Sequence, residues 1–357
     1  MRDEYEALIR NKTWSLVPSS AEHKVVGNKW VVRVKQNSDG SIAKYKARLI
    51  VKGFQQTKGV DYFETFSPVV KSSTVRIILS LAAMHRWTIR QVDVNNAFLN
   101  GELTEDVYMC QPEGFVDLQK PSYVCKLKNA LYGLKQAPRA CKVFALKDLG
   151  ELSYFLGIEV SFIKDDIYLS QRKYIRDLLS KAGLLECKGC DTPMVTGSKL
   201  QKKAKGYLGE YVEDPTGYRS LVRGLQYLVL TRPEIANAVH KLSQYVSALT
   251  LQHIIACKRV LRYLKETKDY GLKFSSEGEM KLTGYTNADW AYDIDDRKST
   301  GAYCIYLGRN LISWSSKKQS VVVRSSAESE YKALASASTE ISWIQSLFDG
   351  LGIECMV

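Results

Sequence analysis

The chain has 357 residues, of which 45% are hydrophobic and 25% are charged. This length suggests two or three domains with enough apolar material for buried cores. No apolar segment approaches the ~20 residues of a membrane-spanning helix, and the N-terminus does not resemble a signal peptide, which argues against a membrane protein. The eight cysteines are scattered, as in a reducing compartment. We therefore expect an intracellular protein, cytoplasmic or nuclear.

The net charge of +13 is concentrated in the first part of the chain. Residues 1–206 contain 33 Lys and Arg against 21 Asp and Glu, whereas residues 207–357 contain 18 against 17. Between Lys24 and Lys58 there are nine basic residues and one acidic residue. Clustered positive charge attracts polyanions, so this region indicates a surface that follows phosphate groups. A basic face that is merely solvated is the alternative.

The predicted elements begin with a short helix at residues 3–10 and a β-hairpin formed by strands 29–35 and 42–51. Lys44, Lys46 and Arg48 recur at period two and are predicted to lie on one face of the hairpin. Cations on one side of a strand are suited to holding phosphates. A strand that carries Asp93 at its exit is predicted after a helix at residues 71–85. The apolar face of that helix is predicted to contain Val75, Ile78, Leu79, Ala82 and Ala83.

Four long motifs follow one another along the chain: KYKARLIVKGFQQ at residues 44–56, DYFETFSPVV at residues 61–70, VDVNNAFLNG at residues 92–101 and LYGLKQAPR at residues 131–139. In this fixed order they resemble the reverse transcriptases of copia-type LTR retrotransposons. The resemblance continues over nearly the whole chain.

The resemblance implies roles for individual residues. Asp93 matches the first metal-binding aspartate of the palm, and Phe98 matches the steric gate that rejects ribose. Lys44, Lys46 and Arg48 fall in the fingers hairpin that holds the triphosphate, and Gly133 and Gln136 belong to the segment that grips the template. The implied cofactor is Mg²⁺. The implied partners are deoxynucleotides and RNA, DNA or an RNA–DNA hybrid, bound weakly and in a salt-sensitive manner.

The sequence departs from the family after Arg139. The palm normally continues into a hairpin carrying Tyr-x-Asp-Asp, which supplies two further metal-binding aspartates. Here residues 140–143 run directly into FALKDLG, a motif that follows that hairpin in the family. The middle of the palm is therefore predicted to be missing at about residues 140–144. The Asp-Asp pairs at 165–166 and 295–296 are interpreted as turns, and Cys187 and Cys190 as part of a loop.

Residues 151–181 are predicted to form a strand pair and a helix, and residues 187–216 a polar connector. Helices are predicted at residues 215–248 and 252–267. Three cations on the second of these helices either contact a duplex or form a solvated face: Lys258, Arg259 and Arg262.

The last part of the chain predicts three strands, at residues 281–285, 300–307 and 310–315, and a helix at residues 325–347. The apolar residues expected to face the sheet from this helix are Leu334, Ile341, Ile344, Leu347 and Phe348. This order of three strands and a helix resembles the opening of a ribonuclease H fold. Asn287 stands where that family has its first aspartate, and Asp289 is a weak substitute. Glu330 matches the helix glutamate. The resemblance implies further acidic residues on later elements that residues 1–357 do not contain.

Together these patterns predict an α+β protein in three parts. They are a truncated fingers and palm at residues 1–206, a helical connection at residues 207–271, and a partial ribonuclease H-like sheet with one helix at residues 272–357. The edge of that sheet at residues 282–285 is predicted to be unpaired. The expected function is that of a reverse transcriptase fragment without activity. The alternatives are a polymerase completed by unusual ligands or by an intact copy, and a non-catalytic nucleic-acid-binding protein.

Overall fold

The structure is a computed structural model of the chain. It describes residues 1–36, 42–63, 65, 70–95, 101–137, 145–195, 197, 200–202 and 215–356. The described residues form a mixture of helices and several small sheets, which confirms the α+β class. Within these residues no helix is long and apolar enough to cross a bilayer.

The chain divides into two compact units, and each combines two stretches of sequence. Unit 1 consists of Met1–Val69 and Val92–Gly150, and unit 2 consists of Val70–Gln91 and Glu151–Val357. The predicted three-part domain boundaries follow the family rather than compactness, and they remain a prediction.

Unit 1 is built mainly from strands around one apolar core. Strands β1, β7, β6 and β2 form one sheet in that order, strands β3 and β4 form a hairpin, and β5 pairs with β8. The core contains Leu8, Leu49, Val51, Met109 and Leu127. The bounds of its elements are α1 Arg2–Arg10, β1 Trp14–Pro18, β2 Val25–Val26, β3 Asn28–Gln36, β4 Ile42–Val51, β5 Arg90–Asn95, β6 Glu102–Met109, β7 Tyr123–Asn129 and β8 Ala145–Glu151, with a 3₁₀ turn at Gly53–Gln55.

Unit 2 contains two sheets and most of the helices. Strands β12, β11, β10 and β9 form one sheet in that order, and β13, β14 and β15 form an antiparallel sheet. The bounds of its elements are α2 Ser72–Met84, β9 Tyr154–Phe155, β10 Ile158–Ile163, β11 Asp166–Ser170, α3 Arg172–Lys181, α4 Thr216–Leu228, α5 Ala236–Ser243, α6 Leu251–Glu266, β12 Leu272–Phe274, β13 Leu282–Ala288, β14 Thr300–Leu307, β15 Asn310–Lys318 and α7 Ser326–Leu351, with a 3₁₀ turn at Pro233–Ile235.

Two details of the predicted helices are wrong. The single helix expected at residues 215–248 is two helices, α4 and α5, separated by a 3₁₀ turn that begins at Pro233. Proline lacks the N–H that a continuous helix requires, which accounts for the break. On α7, Ile344 and Phe348 are buried against the sheet and Ile341 and Leu347 pack against the same cluster, as predicted. Leu334 is 48% exposed, and the buried residues on that part of the helix are Ala333 and Ala337.

Two details of the predicted strands also differ. Residues 272–274, expected to open the last domain, form β12 and pair with β11 in the other sheet. The edge of β13 is not open along its whole predicted length, because the Leu282 N–H donates to Met356 O over 2.8 Å and the Met356 N–H donates to Met280 O. The end of the described chain therefore pairs in parallel with the start of this edge.

Helix α2 is buried on two sides. Leu79, Ala82 and Ala83 pack into a cluster with the β9–β12 sheet, while Ile77 and Leu81 pack into a second cluster with the β13–β15 sheet and α7. The predicted apolar face was correct for the first side. Ile78, expected on that face, is 43% exposed.

Arg76 is the one charged residue among the buried residues of α2. Its Nε donates to Ile312 O over 2.7 Å, and its guanidinium lies 3.8 Å from the centre of the Trp314 ring. Burial lowers the pKa of Arg76 to about 10, while the charge of Glu340 acts in the opposite direction. The arginine therefore ties α2 to strand β15 through hydrogen bonding and ring stacking together.

We predict that Arg76→Ala lowers the free energy of unfolding of unit 2 by about 2–3 kcal/mol, the usual cost of losing buried hydrogen bonds to a charged group. Urea unfolding followed by tryptophan fluorescence measures this change. Arg86→Ala is the matched control, because the ion pair of Arg86 with Asp165 is largely exposed and is expected to contribute about 0.5 kcal/mol or less. Equal effects of the two substitutions would contradict the assignment of Arg76 as the tie.

Candidate nucleic-acid interface

The β3–β4 hairpin carries a basic face larger than the sequence predicts. The antiparallel register places Lys29 opposite Ile50, Arg33 opposite Lys46 and Val31 opposite Arg48. Residues directly opposite one another in an antiparallel pair share a face of the sheet. We therefore define the basic face by five residues: Lys29, Arg33, Lys44, Lys46 and Arg48. Arg48 is half-buried and the other four are exposed.

The opposite face of the hairpin is apolar and unevenly covered. Leu49 and Val51, near the base, are buried in the core of unit 1. Val34 and Tyr45, which pair with each other nearer the turn, are 50% and 63% exposed. The hairpin is thus anchored at its base, and its distal part presents cations on one side and apolar side chains on the other.

The anchor is a close backbone contact with the segment that includes Gly133. The Val51 N–H donates to Tyr132 O over 2.8 Å, and the Arg48 guanidinium lies 5.0 Å from the centre of the Tyr132 ring. Gly133 has φ +95°, and a Cβ there would lie 2.1 Å from Val51 O. A Cβ on Gly53 would lie 1.9 Å from Gly133 O. Only glycine fits at both positions, so the predicted template-grip segment is held directly against the base of the hairpin.

A chain of side-chain hydrogen bonds reinforces this anchor. Gln56 Nε2 donates to Gln136 Oε1 over 3.1 Å, and Gln136 Nε2 donates to Asp61 O over 2.9 Å. The Asp61 carboxylate in turn accepts from the Thr57 N–H and from Lys24 Nζ. Gln136 is 3% exposed, so its side chain forms its hydrogen bonds inside the protein. Direct contact between Gln136 and a template stays a prediction that this burial does not favour.

Asp93 is exposed on β5, which pairs with β8. Among the described residues no group of three or more His, Cys, Asp or Glu side chains comes close enough to hold a metal ion. Two divalent ions need several convergent carboxylates, so the described donors around Asp93 do not fit a pair of Mg²⁺ ions. Phe98, the predicted steric gate, lies outside the described residues.

The candidate metal-binding residues of the C-terminal region are Asn287, Asp289 and Glu330, and they do not converge on one site. Asn287 Oδ1 accepts from the adjacent Ala288 N–H, and Asp289 Oδ1 accepts from the Thr300 N–H over 2.8 Å. The Asp289 carboxylate therefore binds the first backbone N–H of β14, just beyond the end of β13. Glu330 is exposed on α7. Like the surroundings of Asp93, this set does not fit a pair of Mg²⁺ ions within the described structure.

The remaining candidate residues have structural partners. Asp165 lies in the turn between β10 and β11, as its interpretation as a turn residue predicts. Asp166 is instead the first residue of β11, and it pairs with Lys273 over 2.7 Å. Of the three cations on α6, Arg259 donates to Thr192 and Arg262 to Lys188 O, whereas Lys258 is exposed. Arg259 and Arg262 therefore fix the loop at residues 187–192 against α6.

That loop contains Cys187 and Cys190. Cys190 Sγ contacts Thr192 O and Arg259 O. Both cysteines are free thiols, as their interpretation as loop residues predicts. The second Asp-Asp pair also lies in a turn, where Asp295 accepts from the Lys202 N–H and Asp296 pairs with Lys318.

Comparison with known proteins identifies the family. The model of the reverse transcriptase (RNA-dependent DNA polymerase) family matches residues 11–143 and, in a second match, residues 140–196. The chain is 44% identical over 413 aligned positions to a retrovirus-related Pol polyprotein from transposon RE1 of Arabidopsis thaliana, covering 99% of the chain and 28% of the relative. It is 35% identical to the Pol polyprotein from transposon TNT 1-94 of Nicotiana tabacum, covering 99% and 31%.

A third relative is the uncharacterized mitochondrial protein AtMg00810 of Arabidopsis thaliana, which is 41% identical over 200 positions, covering 56% of the chain and 81% of the relative. The chain thus belongs to the reverse transcriptases of retrotransposon Pol polyproteins, as its copia-type motifs predict. It spans less than a third of the length of the two Pol polyproteins. The family as a whole uses a divalent metal ion and binds nucleic acid and nucleotides.

We predict that Gly133→Ala destabilises unit 1 by about 3 kcal/mol or more, because backbone strain of about 1 kcal/mol is joined by the clash with Val51 O. Gly114→Ala is the matched control. Gly114 has φ +81°, and a Cβ there would meet nothing within 4 Å, so only the strain applies. Thermal unfolding of both variants checks the difference, and equal losses of stability would mean that the contact with Val51 is not tight.

Proposed function

We propose that this chain is an internally deleted copy of a copia-type reverse transcriptase. In this proposal it has no polymerase or ribonuclease H activity of its own and retains electrostatic binding to RNA, DNA or an RNA–DNA hybrid. The proposed architecture is a truncated fingers and palm, a helical connection, and a partial ribonuclease H-like region made of β13–β15 and α7. In the proposal Asp93 and Glu330 are remnants of the two metal centres.

The observation that carries this proposal is the identity of the strand beside Asp93. Strand β8, which pairs with β5, begins only a few residues after the segment that contains Arg139. The acidic residues of β8 are Asp148 and Glu151, and Asp148 Oδ1 accepts from the N–H of Gly150, two residues further along the same strand. The motif Tyr-x-Asp-Asp is absent from the sequence.

The comparisons support a missing segment at the same place. The two matches of the family model meet at residues 140–143. An alignment of 413 positions with the RE1 polyprotein requires at least 56 gaps in a chain of 357 residues. A deletion in the palm removes carboxylates while leaving the fingers hairpin intact. In this proposal the metal-dependent activity is lost, and the binding of nucleic acid is retained.

We expect no incorporation of deoxynucleotides by the purified chain on a primed RNA template, with either Mg²⁺ or Mn²⁺, because a lone carboxylate cannot position two ions. Primer extension resolved on a gel measures this. Two controls sharpen the result: the variant Asp93→Asn, and a chimaera that carries at residues 140–143 the corresponding segment of the RE1 polyprotein.

The chimaera is expected to extend the primer and to lose that activity with Asp93→Asn. Extension by the original chain that Asp93→Asn abolishes would establish the alternative, an active polymerase with unusual ligands. Extension that appears only when the chain is mixed with an inactive Asp93→Asn chimaera would establish completion by an intact copy.

The proposed binding depends on the basic face. Lys44 and Lys46 are exposed, and Arg33 and Lys29 lie on the same side of the hairpin. Each phosphate neutralised by such a cation releases a condensed counterion, which makes the affinity fall steeply with salt. No base-reading groups are required, so the proposed binding is weak and independent of sequence.

We predict that the double variant Lys44→Gln/Lys46→Gln reduces the slope of log affinity against log salt by about 2, because each substitution removes one cation that neutralises a phosphate. Fluorescence anisotropy with a labelled RNA–DNA hybrid between about 50 and 200 mM salt gives the slope. The matched control Lys12→Gln/Lys128→Gln changes the net charge equally at exposed positions outside the hairpin. An identical slope for the two double variants would show that net charge, and not this face, governs binding.

A further inference from the structure

Lys318, the last residue of strand β15, joins three segments of unit 2. Its ammonium donates to Asp293 Oδ2 and to Asp296 Oδ1, each over 2.8 Å, and so binds the loop between β13 and β14. The same ammonium lies 3.3 Å from Gln244 Oε1, just after the end of α5. Its backbone N–H donates to His240 Nε2 on α5 over 2.9 Å. One residue of the sheet therefore bonds both to the loop and to the helix.

The hydrogen bond to His240 is made by a backbone group that faces away from the rest of the sheet. The N–H of Gln319, one residue further on, donates to Ser299 O on the side of β14. Backbone groups alternate along a strand, so the Lys318 N–H points in the opposite direction. Strand β15 is the outer strand on that side of the described sheet. The imidazole therefore accepts a backbone hydrogen bond that belongs to the outer edge of β15.

His240 can accept this bond only while its ring is neutral, because protonation places a hydrogen on Nε2. Burial lowers the pKa of the half-buried His240, and the positive charges of Lys317 and Lys318 on β15 lower it further. Asp293 and Asp296 face the same junction, but both of their carboxylates bind the Lys318 ammonium. The neutral ring, and with it the hydrogen bond, is therefore the favoured state near pH 7.

The other groups around α5 do not supply a carboxylate to the ring. Lys241, beside His240 on α5, places its ammonium 4.3 Å from the centre of the Tyr292 ring. Helix α4 meets α5 through neutral groups, with Tyr218 OH donating to Leu242 O, and α6 meets it through the apolar core. His240 lies in the last turn of α5, where the helix dipole favours a cation, and this effect opposes the lysines and the burial.

We propose that His240 is a pH-sensitive latch, which holds the end of β15 on α5 while the imidazole is neutral and releases it when the imidazole is protonated. In the protonated state two donors, Nε2–H and the Lys318 N–H, face each other, and a positive ring lies beside two lysines. The hydrogen bond is lost and the contact becomes repulsive, so the end of the strand separates from the helix.

The direction of the pH dependence follows from the proton balance. In the released state His240 titrates with its ordinary pKa of about 6.5, whereas in the closed state its pKa is lower. The released state therefore binds more protons, and the stabilisation by the latch is present above about pH 6.5 and is lost as the pH falls below that value. Asp293 and Asp296 remain charged through this range, because carboxylates titrate near pH 4. The ion pairs of Lys318 therefore persist while the bond to His240 opens.

Amide hydrogen exchange of Lys318, measured by NMR on the full chain, tests the latch. The pH is varied between about 5 and 7.5, which spans the ordinary pKa of histidine, and the rates are corrected for the intrinsic pH dependence of exchange. We expect the protection of the Lys318 amide to fall on acidification, by about tenfold for each unit by which the closed state lowers the pKa of His240. The Gln319 amide, which bonds to Ser299 O, is the internal reference and is expected to keep its protection.

Two variants separate the imidazole from other titrating groups. His240→Gln keeps an acceptor and does not titrate, so the protection of Lys318 is expected to become independent of pH. His240→Lys carries a permanent charge and is expected to lack this protection at every pH. His85→Gln, at an exposed position, is the matched control and is expected to behave like the unsubstituted chain.

The imidazole signals of the unsubstituted chain give a readout that does not require any variant to fold. They are expected to show His240 becoming protonated over the same pH range in which Lys318 loses its protection. Three results would each overturn the proposal: protection of Lys318 that stays constant while His240 becomes protonated, a pKa of His240 at or above its ordinary value, or an unchanged pH dependence in a folded His240→Gln variant.

Discussion

The burial of Arg76 between α2 and β15 is the interaction on which the larger unit depends. A guanidinium can be buried only where its hydrogen bonds are satisfied. Here Nε donates to Ile312 O, on a strand more than 200 residues away in sequence, while Nη1 donates to Leu230 O and Nη2 to Ser72 Oγ. The two apolar flanks of α2 join the β9–β12 sheet to the β13–β15 sheet within one compact unit. Helix α2 therefore supplies apolar side chains to the cores of both sheets, so its removal would expose both cores.

The smaller unit depends on a different constraint, which is steric. Gly53 and Gly133 allow the backbone of residues 131–137 to lie against the base of the β3–β4 hairpin, and the buried Gln56–Gln136 pair satisfies the polar groups enclosed there. Fixing the base of the hairpin fixes the direction of its basic face. Because the base of the hairpin is ordered, the five cations of the basic face are held in fixed positions relative to one another.

The sequence predicts elements well where one periodicity dominates. The hairpin strands, α2 and α6 lie close to their predicted bounds because each shows a clear repeat of two or three-to-four residues. The contributions of Lys29 and Arg33 to the basic face were missed because they follow from the register across the hairpin, not from either strand alone. The break at Pro233 carried a sequence signal that the apolar spacing on both sides obscured. The two-sided burial of α2 had no local signal, since it results from contacts with distant strands.

Binding and chemistry in this family rest on side chains of opposite charge, and the two respond differently to a deletion. Cations of the hairpin attract phosphates whether or not a metal ion is held nearby, because counterion release needs only positive charge. Carboxylates act on phosphates only through bound metal ions; without those ions they repel the same polyanion. Removing acidic residues from the palm therefore leaves a surface whose attraction for nucleic acid is preserved or increased. Residues 1–206 carry +12 of the net charge of +13, and nine of their basic residues lie between Lys24 and Lys58, a stretch that includes the basic hairpin.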